Sequence, residues 1–301
     1  MPAGAHTVAN PTPPRSAHAA SGLASAVAPP ARPAGRVASP WLAVRGDLPR
    51  GATLALFALS FVLLFLAWWW LSSRPWINPV FVPSPARVWT AARDFLSDGN
   101  LWLDVKVSLW RVTAGFLLSA AVAIPIGVWM GSFRVCQALL QPLIEYVRYI
   151  PVPALIPLLM LFFGIEETAK IMLIFVGVFF QLVLMVADEV RRVPHELVQV
   201  SQTLGATRGE IVRLVLFRAA LPGIFDALRL CNGWAWTYLV VAELIAANEG
   251  MGYRILKFSR FLQTPKIFVY LILLGCIGLA LDAAFRRFNA RVFHWANATK
   301  R

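Results

Sequence analysis

Ionisable residues within long apolar stretches are the groups in this sequence that could take part in chemistry or move a charged solute. Glu145 and Arg148 lie three positions apart in one stretch, and Asp226 and Arg229 have the same spacing in another, which also holds Glu243. A charge inside a bilayer is costly unless it is paired or faces water. The spacing predicts an ion pair on one helix face in each case. Alternatively, Arg148 or Arg229 helps an anion to pass.

Other residues of the sequence argue against an enzyme. His195-Glu196 begins like a zinc-protease motif, but Gln199 occupies the position where the second histidine is needed. All four histidines lie outside the apolar stretches, so a membrane-embedded hydrolase lacks its residues. No lysine follows a glycine, as a phosphate-cradling P-loop requires. We therefore expect no cofactor in this chain, and any energy from ATP has to come from another polypeptide.

The composition places these residues in a membrane protein. Of 301 residues, 58% are hydrophobic and 14% are charged, and the mean hydropathy is +0.65. Several apolar stretches reach the roughly 20 residues that cross a bilayer as a helix. The net charge of +13 does not indicate nucleic-acid binding, because the basic residues mark the ends of apolar segments rather than forming a stripe.

The apolar pattern predicts an all-α membrane protein with about six transmembrane helices. The third span contains four prolines, each of which removes a helical donor, so we expect a broken helix there. Arg111 lies at one end of the second span, where its side chain would snorkel to the interface. The six predicted spans cover residues 53–71, 107–130, 139–163, 169–187, 222–246 and 267–285.

Basic residues predict the orientation and the domain organisation. With the N-terminus in the cytoplasm, 16 of the 28 Lys and Arg residues lie inside and ten outside, in agreement with the positive-inside rule. Residues 1–50 hold nine of the 21 prolines and are expected to form a disordered Pro/Ala-rich cytoplasmic tail. The remaining predicted regions are a first transmembrane helix with its extracytoplasmic connection (51–104), a transmembrane domain (105–287) and a basic cytoplasmic tail (288–301).

The segment between spans four and five predicts two short helices. Gly205 suits the left-handed position that ends the first helix, and Thr207 with Glu210 matches a capping box that begins the second. The first helix carries an apolar stripe at helical spacing, formed by Leu197, Val200, Ser201 and Leu204. Spacing alone is equally typical of a helical hairpin that lies on the membrane surface.

Other residues of this loop give it a family resemblance. Gln199-Val200-Ser201, Gly205 and Val215 are spaced as in the permeases of bacterial ABC importers, which have a Glu-Ala-Ala start, a glycine four positions later and then a Leu-Pro. Phe217-Arg218 replaces that Leu-Pro, but Ala219-Ala220-Leu221-Pro222 resembles the nitrate, sulfonate and taurine branch. The likeness extends from about residue 105 to 285 and includes Arg148 to Leu159, Leu228-Arg229-Leu230 and Ala242-Glu243-Leu244.

The resemblance implies a permease subunit in a bacterial inner membrane, with both termini cytoplasmic and a coupling loop between spans four and five. It implies a homodimer of permeases, two cytoplasmic ATPases that hold ATP and Mg, and an extracytoplasmic binding protein. The cargo would be a small anion of the nitrate, sulfonate, taurine or bicarbonate class. An ion-coupled secondary transporter that uses Glu243 or Asp226 is the alternative.

Two groups of site residues follow from this resemblance and from the intramembrane polar residues. The predicted ATPase-coupling residues are Glu196, Leu197, Val200, Ser201, Leu204, Gly205, Ala206, Thr207 and Arg208. The residues predicted to line the translocation pathway or to gate it are Arg148, Gln181, Arg229, Asn232, Trp234 and Glu243.

Overall fold

The computed structural model describes residues 49–98 and 100–295, so nearly all of the predicted tail 1–50 lies outside it. All regular secondary structure in this described part is helical. The α-helices are α1 (Arg50–Ser72), α2 (Pro85–Asp98), α3 (Asn100–Ser132), α4 (Arg134–Arg148), α5 (Ile156–Phe163), α6 (Glu167–Arg191), α7 (His195–Thr203), α8 (Arg208–Glu210), α9 (Phe217–Ala246), α10 (Met251–Arg260) and α11 (Thr264–Val292). A 3₁₀ turn (Val152–Leu155) precedes α5, and a π-helical turn (Ile211–Leu216) joins α8 to α9.

Helices lie at all six positions where the apolar pattern predicts spans. Four of them, within α1, α3, α6 and α11, are long and apolar enough to cross a bilayer, with mean hydropathies of 1.9 to 2.4. The bent pair around residue 150 is a fifth candidate if it counts as one span. The predicted fifth span is α9, whose 30 residues are more than long enough to cross. Its polar side chains lower its hydropathy. The all-α membrane fold is confirmed.

The predicted break in the third span is present. α4 and the 3₁₀–α5 segment meet at an angle of 89°. Pro151 lies at the N-cap of the 3₁₀ turn, while Pro153 and Pro157 are the second residues of the two helical segments. Proline fits these positions because its missing N–H would have no intrahelical partner there. The prolines therefore start new helical segments at a corner.

Among the described helices, α3 and α6 pack together most extensively, and glycines make this approach possible. A Cβ atom added to Gly115, Gly127 or Gly131 would lie only 2.7 Å from a β-branched side chain of α6. Gly127 and Gly131 have the small-xxx-small spacing that lets membrane helices pack backbone to backbone. Ser119 adds a hydrogen bond across the same interface, from Oγ to the Phe175 carbonyl at 2.8 Å.

We expect Gly127→Val to destabilise the protein by about 1–3 kcal/mol, because the added side chain overpacks the α3–α6 interface. Thermal unfolding in detergent measures this loss. Gly275→Val in α11 is the matched control, since a Cβ there meets no atom within 4 Å. Equal melting temperatures for the two variants would contradict this account of the interface.

Candidate functional site

Arg111 lies at the centre of a buried charge network. Its side chain is 2% exposed and bridges two glutamates from different helices. Nε and Nη2 donate to the two carboxylate oxygens of Glu167 at 2.6 and 2.7 Å, and Nη1 donates to Glu243 at 2.8 Å. The expected snorkelling of Arg111 is therefore wrong. The buried guanidinium finds one counter-charge inside the bundle, at Glu243 of α9, and a second at the half-exposed Glu167 of α6.

The Glu243 carboxylate is fully buried and fully engaged. Besides Arg111, it accepts hydrogen bonds from the Ser108 hydroxyl at 2.7 Å and from the backbone N–H of Gly252 at 2.8 Å. Gly250 has φ = 113° and lies against the carboxylate, where any Cβ would clash. Glycine is thus required here both by the backbone conformation and by the closeness of Glu243.

A second buried carboxylate, Asp104, continues the network towards α10 and α11. It accepts hydrogen bonds from the Gly250 N–H at 3.1 Å, from Arg254 Nε at 2.9 Å and from the Tyr270 hydroxyl at 2.7 Å. Asp104 and Ser108 are both 0% exposed. The end of α9, the connection to α10 and one face of α11 are therefore all attached to α3.

The network is balanced in charge, since Asp104, Glu167 and Glu243 are matched by Arg111, Arg254 and Lys170. Lys170 Nζ donates to Glu167 at 2.8 Å. Buried polar groups that are all satisfied hold one geometry firmly. In the described residues no group of three or more His, Cys, Asp or Glu side chains could hold a metal ion. The chemistry that this arrangement supports is positioning of helices.

We expect Glu243→Gln to destabilise the protein by roughly 3 kcal/mol, because it leaves Arg111 buried with one of its two counter-charges removed. Unfolding in detergent, followed by far-UV circular dichroism, measures the change. Glu249→Gln is the control, since the Glu249 side chain is exposed and contributes only its backbone carbonyl to Arg111. If the two variants unfold alike, pairing of Glu243 with Arg111 does not stabilise the fold.

Three of the six predicted pathway residues lie around one cavity. Arg148, Gln181 and Trp234 line a space of about 310 Å³ bounded by the end of α4, the middle of α6 and α9. Arg148 Nη1 lies 3.3 Å from the Gln181 side-chain oxygen, and its guanidinium is 5.1 Å from the centre of the Tyr149 ring. This cavity therefore contains a cation, an amide and aromatic rings.

The other three predicted pathway residues lie elsewhere. Glu243 belongs to the buried network. Asn232 is half-buried in α9 and does not line that cavity. Arg229 lies 3.9 Å from Asp226, so this predicted pair forms, and it also reaches Asp282 of α11 at 3.6 Å.

The predicted pair of Glu145 with Arg148 is wrong. Glu145 instead accepts a hydrogen bond from Gln141 Nε2 at 2.7 Å. Arg148 is the last residue of α4 and turns to Gln181 on the neighbouring helix.

The predicted helix–glycine–helix loop is present between α6 and α9. Gly205 has φ = 83° and follows α7 in the left-handed region. Its N–H donates to the Gln202 carbonyl and the Ala206 N–H donates to the Ser201 carbonyl, both at 3.0 Å. These two bonds form the Schellman arrangement that ends a helix at glycine. The loop is therefore held by its own backbone.

The apolar stripe of α7 faces solvent. Leu197 is 45% exposed, Val200 57% and Leu204 81%. Glu196, Leu197, Val200 and Ser201 line one side of an open cleft of about 510 Å³, whose other side belongs to the segment from Leu214 to Ala219. Unpartnered apolar side chains beside a cleft are typical of a protein-binding surface.

A capping box fixes the start of the next helix. Glu210 accepts hydrogen bonds from the Thr207 N–H and hydroxyl at 2.8 and 2.7 Å, and the Glu210 N–H donates to Thr207 Oγ1. Arg208, the first residue of α8, follows this cap directly. The backbone and side-chain hydrogen bonds from Thr207 lower the pKa of the Glu210 carboxyl.

We expect this lowered pKa to make the order of the loop depend on acidity. The folded pKa of Glu210 lies below its unfolded value, so the cap contributes fully above the unfolded pKa and is lost as pH falls through the folded one. Thr207→Ala removes the cap at every pH, and loss of a threonine cap should speed amide exchange in 207–211 about fivefold. Hydrogen exchange between pH 7 and pH 3 measures both effects. Thr203→Ala, at the end of α7, is the control.

Helices that can cross a bilayer, an internal charge network and an exposed helix–glycine–helix loop define an integral membrane protein. The chain belongs to the family of binding-protein-dependent transport system inner membrane components, whose model matches residues 123–294. It is therefore a permease of the ABC importer family, as the loop and the flanking spans predicted.

Two relatives agree with this family, and one solved structure has a similar fold. A probable ABC transporter permease of Brucella melitensis is 36% identical over 80% of this chain and 97% of its own length. The taurine transport system permease protein TauC of Escherichia coli is 31% identical over 83% of this chain and 92% of its own length. The MetNI methionine ABC transporter, in an inward-facing crystal structure, is similar in fold, with a TM-score of 0.57 and 23% identity over 64% of this chain and 95% of that one.

Sequence reasoning identified the loop but did not find the charge network. Asp104, Ser108 and Arg111 recur at four- and three-residue intervals, which puts them on one face of α3. A polar stripe of this kind in an apolar helix signals a buried network. Its partners in α9 and α10 are more than 130 positions away, so their identity depends on the fold.

Proposed function

We propose that this chain is the permease subunit of an importer that takes up a small anion, with ATP hydrolysed on a separate subunit. The observation that carries this proposal is the exposed stripe of Leu197, Val200 and Leu204 on a helix that a Schellman turn and a capping box hold rigidly. A rigid apolar helix seated in a partner groove transmits a rigid-body movement. The partner is then an ATPase, and two copies each of permease and ATPase form the unit.

The loop residues act at different points of this docking surface. Leu197, Val200 and Leu204 enter the groove of the ATPase, while Glu196 and Ser201 border it. Gly205, Ala206 and Thr207 keep the turn between the two helices, and Arg208 begins the helix that leads into the membrane. The altered Gln199-Val200-Ser201 makes apolar packing, rather than a salt bridge at the Glu-Ala-Ala position, the main source of affinity.

We expect Gly205→Val to prevent association with the ATPase while leaving membrane insertion intact. A β-branched residue opposes the left-handed conformation, even though the space around Gly205 is open. Copurification of the ATPase with the membrane-extracted permease measures docking. Gly209→Val is the matched control, because that glycine also has open space and lies in a helix. A Gly205→Val variant that assembles normally would contradict the assignment of this loop.

The cargo class rests on the positively charged cavity and on the relatives. Arg148 is the cation of the cavity that Gln181 and Trp234 share, and the anion would approach it during passage. Arg229 and Asn232 lie in α9, the helix that also carries Trp234, and would contact the anion at other points of its passage. Glu243 fixes the end of α9. Nitrate, bicarbonate, sulfonates and taurine all fit this chemistry. An extracytoplasmic binding protein selects among them and delivers one.

An ion-coupled secondary transporter is the competing function, with Glu243 or Asp226 as the coupling acid. Glu243 is held by Arg111, Ser108 and Gly252, and a carboxylate engaged in this way is poorly suited to exchanging a proton or ion. We expect uptake into right-side-out vesicles, with the binding protein outside, to require ATP inside the vesicles and to persist when a protonophore collapses the proton gradient. Uptake that survives ATP depletion would instead support the secondary transporter.

The position in the cell follows from the same proposal. The permease lies in a bacterial inner membrane, and the loop, the N-terminal tail and the C-terminus face the cytoplasm. This orientation puts α7 on the side where ATP is available.

A further inference from the structure

A second, larger cavity lies on the opposite side of α7 from the exposed stripe. Its volume is about 950 Å³, and its walls come from the α3–α4 junction (131–138) and from the segment 190–216. The spans in α3 and α6 end at Ser132 and Arg191, which both line the cavity. The cavity therefore lies at the level where two membrane helices leave the bilayer.

The charged residues that line this cavity are all basic. They are Arg134, Arg191 and Arg208, which share the lining with His195, and no aspartate or glutamate lines it in the described part of the chain. Arg191 is already paired with Asp188. Arg134 and Arg208 make no side-chain hydrogen bond or salt bridge to any described residue. Two guanidinium groups on opposite walls are thus available to an anion.

Two further features of the α3–α4 junction suit an anionic group. The N-terminus of α4 has no side-chain cap, so its first N–H groups and the positive end of its dipole are available. The Ser132 hydroxyl oxygen is buried and has no hydrogen-bond partner among the described residues. Rotation of this side chain towards the cavity breaks no existing hydrogen bond.

The rest of the lining is apolar, including Phe133, Val193, Val198, Ile211 and Leu216. A free phosphate ion would leave most of this surface uncovered, and the cavity is many times larger than such an ion. An amphiphile fills it better, with its phosphate at the arginines and its glycerol and first methylenes on the apolar wall. Basic pockets between membrane helices recognise lipid headgroups in this way.

We propose that this cavity binds the phosphate headgroup of an anionic phospholipid, held between Arg134 at the start of α4 and Arg208 at the start of α8. The lipid bridges the α3–α4 corner and the loop that carries α7. The bound lipid therefore restricts the motion of the loop from the face of α7 opposite the exposed stripe. The stripe itself stays free for a partner. The placement of the lipid in the inner leaflet rests on the proposed function, but binding itself does not.

The test uses photoactivatable phosphatidylglycerol in nanodiscs that contain either the full-length permease alone or the transporter assembled with its ATPase. After illumination, mass spectrometry locates the labelled peptides. We expect labelling in 131–138 and 190–216, in both samples, and much weaker labelling there by photoactivatable phosphatidylcholine. Arg134→Gln should lower the phosphatidylglycerol labelling about fivefold, because one cation facing the phosphate is lost.

Arg213→Gln is the matched control, because Arg213 is exposed in the same segment but does not line the cavity, and labelling should stay at the wild-type level. Equal labelling by the two lipids, or labelling that Arg134→Gln leaves unchanged, would overturn the proposal. Displacement of the lipid by millimolar inorganic phosphate would also overturn it, in favour of a free-oxyanion site. Labelling that is lost on assembly would overturn the proposal for the working transporter, because the ATPase would then cover the cavity. Labelling of the isolated permease tests lipid binding even if no ATPase associates.

Discussion

The buried guanidinium of Arg111 is the constraint on which the helix arrangement depends. A single arginine placed in an apolar bundle requires counter-charges, and it obtains them from Glu167 at the start of α6 and Glu243 near the end of α9. Glu243 could not be buried alone without a large desolvation penalty, whereas the Glu167 side chain remains 48% exposed at the start of α6. The three helices must therefore meet at this point, and the glycines of α3 allow the approach by keeping α6 close along the rest of its length. Charge pairing holds α3, α6 and α9 together at one end of the bundle. The glycines of α3 allow close packing against α6 along the rest of its length.

The network also explains why the chain can turn sharply after α9. The Gly250 and Gly252 N–H groups, which a turn would otherwise leave unsatisfied, donate to Asp104 and Glu243. Carboxylates thus replace the missing intrahelical partners at a helix end. Tyr270 and Arg254 complete the coordination of Asp104. Three N–H groups at the start of α10 are therefore satisfied by side chains of the network.

Local features of the sequence predicted the local features of the structure well. Gly205 with Thr207 and Glu210 indicated a helix end and a helix start, because both depend only on residues a few positions apart. The prolines around residue 150 predicted the corner for the same reason. The placement of Arg111 was wrong because hydropathy near a span end does not reveal which residues lie across from it. Its partner Glu243 is 132 positions away, and only helix packing brings the two together.

The segment from α8 through the π-helical turn to the end of α9 is one continuous helical rod from Arg208 to Ala246, roughly 55 Å long. One end carries the loop beside Gly205, and the other end carries Glu243 in the charge network. A rotation of about 5° around the middle of such a rod displaces each end by about 2 Å in opposite directions. A helix that moves as one rigid body would act as a lever, and a push on its exposed end would change distances in the Arg111 network without a chain of intermediate side chains.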